Sequence, residues 1–582
     1  MNSEPYRESS KWRLSRIPIP IQETGSKNDA NSLAAKGPDV SEQSARPLAY
    51  SKPGSVLVVR WCEPWIVFGI SFLLYALLGW AGAYFVQTYN WDGVSRIAQA
   101  HGVLFSRDPH LAALGFIWPP LPALTDLPFL LALKPLGLVL LAGPIMSALY
   151  AAFALAMLSD ILRRFSLPVG WRVIWIVAFG AHKLIVHNSV MGLSEAPFLA
   201  FLLLSLNGFM MWERDRRPSG LLWAGVGAAI AVYCRYEALA WAAVVVVAIV
   251  WQLLFDTRRL WSSKASGSVI AFITPPVWAL VLWVFANWQI TGNPIYFLVG
   301  PGSTATTPDT AHVVGPTHPF YYAQDSIVGS ILLVLREILD LAPLVLPASI
   351  LLVGLTIWRR RWPDMAYLAL AWSIVAFTFL IAFRGLLPPW TRYFFWILPA
   401  GVVTAGAAFR ASPVGWPRHT VAGATSLLML FPTIWLPLQA WPQIQQPTPQ
   451  RLISAVILAP EAAYAALGGQ LDEFVDMATY LNSQPPGKLT MIDASVGSGI
   501  VFYLDRPDQL VITTDQDFFP VLASPVGKVS QVLVPRPTLD TKGRSEIVKL
   551  YPGLYDGGEP WARLIHEFPG EGGWRLFQVV KP

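Results

Sequence analysis

Charge is what this chain of 582 residues has least of. Asp, Glu, Lys and Arg make up 13% of it, where a soluble domain carries about 25%. With 54% hydrophobic residues, that shortage excludes a soluble globular protein and points to a polytopic membrane protein. Cysteine is nearly absent: Cys62 and Cys234 stand alone, one near each expected face, which excludes a disulfide framework. Residues 1–60 contain no apolar run and read as a disordered cytosolic tail. The first apolar run begins too late for a cleavable signal peptide. His182, His187, His312 and His318 lack metal-ligand spacing. Lys and Arg are missing altogether from 287–326.

Twenty-six tryptophans fit aromatic belts at two membrane interfaces. A spanning helix needs about 20 mostly apolar residues. Candidates lie at 64–86, 136–158, 171–186, 195–211, 220–233, 238–254, 269–286, 341–358, 365–383, 393–408 and 421–440, about 11 spans in all. The stretch 120–133 is apolar but short and proline-rich, and reads as a re-entrant or interfacial helix. With the N-terminus inside, the inner loops hold Arg163 and Arg164; Arg214, Arg216 and Arg217; Arg258, Arg259 and Lys264; Arg359, Arg360 and Arg361; and Arg410 and Arg418. The positive-inside rule is thus satisfied: the net charge is +6, and the concentration of the basic residues in short loops sets membrane orientation and does not suggest nucleic-acid binding. From about residue 441 the composition changes. A helix at 471–481 and strands at 488–492, 509–512, 531–534 and 574–580 predict a small external α/β domain over 441–582, beyond a membrane domain over 61–440. Gly497-Ser498-Gly499 is too short for a phosphate loop and reads as a turn.

An acidic external loop follows the first span. Asp92, between Trp91 and Gly93, reads either as a general base at a cavity mouth or as a helix N-cap. Asp108 before Pro109 has the same ambiguity, with a turn role favoured. Glu195 opens a span, where a carboxylate costs several kcal/mol unless paired or wetted; helix-dipole stabilisation is the alternative. Arg235, Arg384 and Arg392 break the positive-inside pattern. Their fixed donor forks suit a phosphate, but snorkelling, or salt bridges of Arg235 with Glu237 or Glu195, would also explain them. Trp91, Trp118, His187, Tyr236, Glu237 and Tyr393 are the expected cavity lining.

Four of these pieces, in this order and sidedness, resemble the polytopic C-superfamily of glycosyltransferases (GT-C), which includes protein O-mannosyltransferases, the lipid A aminoarabinose transferase and GPI-anchor mannosyltransferases. Trp91-Asp92-Gly93 is similar to the tryptophan-aspartate loop of the GPI branch. Trp118-Pro119-Pro120-Leu121-Pro122 resembles the aromatic-proline run opening the next helix. Ser194-Glu195-Ala196-Pro197-Phe198 is similar to the family's Ser-Glu segment, and Arg392-Tyr393 stands before a late span. The resemblance covers roughly residues 64 to 408. It implies a donor of the polyprenyl-phosphate-sugar type, flipped to the external leaflet, and an acceptor hydroxyl on a lipid, glycan or protein. Outward arginines would hold the phosphate, and Asp92 would take the acceptor proton in an inverting transfer. Many relatives carry a second acidic residue close to the first; here the nearest is Asp108, which leaves open a divalent metal or a second carboxylate. A plasma membrane with the C-terminal domain outside fits a bacterium, and an endoplasmic reticulum membrane would look the same from these residues. The rival readings are a transporter or lipid flippase, which would need internal repeats and mid-membrane charges, a membrane scaffold, and an O-antigen-ligase-like transferase using a diphosphate lipid.

Overall fold

The computed structural model describes residues 53–258, 263–300, 303, 319–435, 469, 471–570 and 572–581. Residues 1–52 of the expected tail, His312, His318 and the end of the expected span at 421–440 lie outside them, whereas residues 53–60, expected in the tail, open the helix Pro53–Ala81. Apolar runs this long fold as helices because lipid offers no partner to a free backbone N–H or C=O. Among the described residues seven helices are long and apolar enough to cross a bilayer: Cys62–Val86, Val139–Arg164, Glu195–Asp215, Ala238–Asp256, Ser263–Thr291, Trp362–Phe383 and Thr391–Ala411.

The expected count of about 11 is not reproduced. The expected span at 171–186 is a bent pair, Val169–Gly180 with Lys183–Val190 at 65°, and the one at 341–358 is the second half of another, Ile327–Leu341 with Val345–Arg359 at 98°. Counting each pair as one span gives nine at most among the described residues, beside a shorter apolar helix, Pro218–Val232. Both bends have local causes. The ring Nδ1 of His182 accepts from the Leu184 N–H and restarts the first pair. Pro343, which has no N–H, sits in the break of the second. A 98° bend cannot leave both pieces across the membrane. If Val345–Arg359 crosses, Ile327–Leu341 lies nearly in the membrane plane, with Ile327, Val328, Ile331 and Leu332 exposed. Leu121–Leu133 has 13 residues, about 20 Å at 1.5 Å per residue, too short to cross about 30 Å of hydrocarbon.

Glu195–Asp215 lies at the centre of the bundle, against Val139–Arg164 and Pro218–Val232. The second contact is close because it runs over glycines: a Cβ on Gly208 would meet Gly220 O at 2.7 Å, and one on Gly227 would meet Ser205 N at 2.7 Å. Charge collects at the two ends of the bundle. At one end Arg410 bonds Glu213 and Asp364 at 3.1 and 2.5 Å, Arg216 meets Asp256 at 2.8 Å, and Arg164 meets Asp160 at 2.8 Å. The other end, about 27 Å away along the helix from Glu213 to Glu195, carries the candidate site.

Beyond the bundle, five short strands form one sheet in the order β2-β1-β3-β5-β4. β1 (Thr490–Ile492) runs parallel to β2 (Leu510–Ile512) and β3 (Gln531–Val534); β5 (Arg575–Val579) runs antiparallel to β3 and to β4 (Ala562–Glu567). Leu533, Leu576, Ile492 and Trp574 are buried with Phe474 and Met477 of the helix Asp472–Asn482. The sequence reading lacked β4, a largely exposed edge strand with a register shift at Leu564/His566. Gly497-Ser498-Gly499 is not a plain turn. It lies in the helical turns Ala494–Gly497 and Ser498–Phe502, where the two glycines pass closely over Ile492 and Phe474.

Candidate active site at one end of the bundle

The helix Trp91–Phe105 lies between the first two spans. Its N-cap is Asn90, whose Oδ1 accepts from the Asp92 N–H at 3.0 Å. The capping role that the sequence left open for Asp92 therefore belongs to Asn90, and Asp92 sits in the first turn with its carboxylate free to pair. Close backbone contact brings this turn to Glu195. A Cβ on Gly93 would collide with the Met191 carbonyl oxygen. Gly192, at φ +70°, lies against Gly143: a Cβ there would be 3.2 Å from Gly143 Cα and 3.4 Å from Gly93 Cα. Three glycines thus seat Asp92 beside the turn that delivers Ser194 and Glu195.

Four chain segments then converge. Arg392, in the turn Thr391–Phe394, donates to Asp92 Oδ2 through Nη2 and to Asn90 Oδ1 at 3.4 Å through Nη1; its Nε is 4.0 Å from Glu195 Oε1. Arg235 reaches Glu195 Oε1 at 2.9 Å and Glu237 Oε1 at 2.6 Å. The Arg235 guanidinium lies 4.9 Å from the Tyr393 ring centre, and that of Arg392 lies 4.9 Å from the Trp390 ring centre. Glu195 is 2% exposed, so only these cations make its charge tolerable. Burial opposes the charge of Asp92, but the guanidinium groups of Arg392 and Arg96 outweigh it and hold the carboxyl below its ordinary value. Burial likewise opposes the charge on Arg235, yet Glu237 and Glu195 raise its pKa above normal.

Two members were missing from the sequence reading. Arg96 is buried, donates to the Asp92 carbonyl at 3.4 Å and stacks 4.9 Å from the Trp118 ring centre. Its place four residues after Asp92, on the same helix face, was the available signal. Asp126 is fully buried with neither carboxylate oxygen hydrogen-bonded, and burial pushes its carboxyl well above the ordinary range against the pull of Arg96. A carboxyl inside the apolar run 121–133 was its signal.

The remaining expected residues divide. Tyr236 donates to the Ile117 carbonyl at 2.9 Å and accepts from Trp283 at 3.1 Å. His187 is half-buried and within electrostatic reach of Arg392 and Glu195. Trp91 is 44% exposed and meets Phe474 of the sheet domain edge-on, with ring centres 6.0 Å apart. Asp108 is not brought to the cluster through any described contact. Its Oδ2 accepts from the Gln516 N–H at 3.0 Å, beside the ion pair of Arg107 with Asp515 at 3.1 Å. Arg384 is exposed, with no side-chain hydrogen bond or ion pair among the described residues. Among the described residues no three His, Cys, Asp or Glu side chains gather as a metal would require.

No family model matches the sequence, and no curated protein does. Solved structures do match. ArnT from Cupriavidus metallidurans bound to undecaprenyl phosphate superposes with a TM-score of 0.50 at 12% identity, covering 91% of this chain and 100% of that one. The apo state of ArnT gives 0.50 at 13% identity, covering 90% and 99%. The chain has the fold of these ArnT structures. The archaeal oligosaccharyltransferase AglB from Archaeoglobus fulgidus, solved with an inhibitory peptide and a dolichol-phosphate, matches at 0.45 and 11% identity over 88% of this chain and 74% of that one. Apolar helices of this number and length make the chain an integral membrane protein.

Proposed function

We propose that this protein is a membrane glycosyltransferase that moves a sugar from a polyprenyl-phosphate donor to an acceptor hydroxyl on the external face. The observation that carries the reading is the position of Arg392 between Asp92 and Glu195, in a fold shared with an ArnT structure solved with undecaprenyl phosphate. The N-terminus is assigned to the cytoplasm, and a bacterial plasma membrane is the assigned setting. The donor lipid is the partner at the site, and the acceptor is a lipid, glycan or protein.

In the resting cluster Asp92 is a weak base, because Arg392 stabilises its charge. An incoming phosphate competes for that guanidinium. As Arg392 turns to the phosphate, Asp92 loses its partner and gains a neighbouring negative charge, and both changes raise its basicity. The carboxylate then accepts the proton of the acceptor hydroxyl while that oxygen attacks the anomeric carbon. The anomeric C–O bond breaks on the opposite face through an oxocarbenium-like transition state, inverting the centre. The departing lipid phosphate keeps the bonding electrons, and the arginines stabilise its charge. Glu195 holds Arg235 and Arg392 in place.

The test is sugar transfer by the purified full-length protein in nanodiscs, with a panel of radiolabelled polyprenyl-phosphate sugars. Asp92→Asn is expected to fold, bind donor and lose about a hundred- to ten-thousand-fold in turnover. Equal activity in both proteins would remove Asp92 from the chemistry. Failure of the wild type to consume any donor would overturn the donor class.

A further inference from the structure

Pro388-Pro389-Trp390 leads into the turn that carries Arg392. The two prolines fix φ on the approach. Hydrogen bonds then hold the Trp390 backbone on both sides: its N–H donates to the Pro388 carbonyl at 2.7 Å, and its carbonyl accepts from the Tyr393 N–H at 3.1 Å. The side chain is held as well. The indole stacks on the Tyr393 ring, with centres 6.0 Å apart and planes 15° from parallel, and the Arg392 guanidinium lies 4.9 Å from its centre. Trp390 nevertheless stays 48% exposed, the share left when one face of a flat ring is covered and the other is open.

An interfacial belt tryptophan needs only lipid around it. This one is pinned by backbone and side chain against an arginine of the candidate site. An aromatic face combines negative charge density with a large apolar area. It suits a ligand whose flat side is lined with C–H bonds, and a pyranose ring has such a side. A puckered furanose has less of one. Arg392 locates the ligand: a phosphate accepts from a guanidinium at about 2.8 Å, and the sugar esterified to that phosphate then begins beside the flanking indole. A platform that is rigid before the sugar arrives loses little entropy on binding it.

We propose that the donor's sugar ring stacks on the open face of Trp390, and that this contact selects a hexopyranose over a furanose. The proposal rests on the glycosyltransferase reading and adds to it a residue that reads the sugar. Trp390 binds and orients the ring and exchanges no proton.

The experiment measures dissociation constants for the full-length protein in nanodiscs. The ligands are the undecaprenyl phosphates of glucopyranose, mannopyranose and arabinofuranose, with undecaprenyl phosphate itself as the sugar-free control. The proteins are wild type, Trp390→Ala, Trp390→Leu and Trp390→Phe. Wild type is expected to bind at least one pyranose donor more tightly than the furanose donor and the control. Trp390→Ala and Trp390→Leu are expected to weaken that donor about tenfold, and Trp390→Phe to keep it within about threefold. Affinity for undecaprenyl phosphate stays unchanged throughout. Unchanged pyranose affinity in Trp390→Ala, or full retention in Trp390→Leu, overturns the stacking contact and leaves the glycosyltransferase reading standing. An equal loss for undecaprenyl phosphate also overturns it, since the indole would then serve Arg392 or the membrane. A wild type that favours the furanose, or binds no sugar donor better than the control, overturns the selection. A wild type that binds none of the four lipids overturns the glycosyltransferase reading as well.

Discussion

Arg392 holds Asp92 ionised and, by the same contact, unreactive; only a competing anion separates the two properties. The sign of the pH effect follows. Held below its ordinary value by Arg392 and Arg96 against burial, the Asp92 carboxyl adds stability above the ordinary carboxylate range. That stability is lost as pH falls through the depressed value. In catalysis the free enzyme reports the paired Asp92 and the donor complex reports the released one. The acidic limb of kcat is therefore expected at higher pH than the acidic limb of kcat/KM. Coincident limbs in initial-rate measurements across pH would mean that the donor leaves the pair intact. Asp92, Glu195, Arg235 and Arg392 could be picked out in the sequence because each is a charge where the surrounding pattern forbids one. Asp108 and Arg384 show the same anomaly, yet the fold turns one toward Gln516 and the other to the surface. Sidedness can be read from a sequence, but direction within a side cannot.

At the scale of elements, the site depends on backbones that touch. Gly93, Gly143 and Gly192 let the first turn of the loop helix rest on the turn before Glu195. Gly93→Ala places a methyl group against the Met191 carbonyl, so the helix must shift by a fraction of an ångström or more. The expected outcome is loss of most of the transfer activity, on the order of a hundredfold for a misplacement near 1 Å, while the bundle keeps its helical circular dichroism. Activity close to wild type in Gly93→Ala would show that this contact does not set the Asp92 position. None of this was visible in the chain, because a glycine at a close approach reads like any loop glycine. The bent pairs escaped for a related reason. Hydropathy sums along a segment and does not see a break at His182 or Pro343. The strands β1, β2, β3 and β5 were legible because buried strands are short apolar runs, whereas edge strand β4 is not apolar enough to stand out.

For the whole molecule, the two charged ends set the orientation. Glu195 and Glu213 occupy opposite ends of one helix, and Glu213 pairs with the loop arginine Arg410. With Cys62 and Cys234 replaced by serine, Arg384→Cys is expected to react with a membrane-impermeant maleimide in intact cells, and exposed Arg214→Cys only after lysis. The reverse labelling would invert the assignment and put the site in the cytoplasm. The chain also carries a gauge of its surroundings. The helix Ile327–Leu341, turned 98° from its continuation, floats at the depth where headgroups meet acyl chains if that continuation crosses the bilayer. A thinner or more tightly curved leaflet would tilt it, and the tilt would pass through the Pro343 corner to the helices behind. Lipid packing thereby becomes a variable of the protein, in the way temperature or pH is, and one that detergent erases.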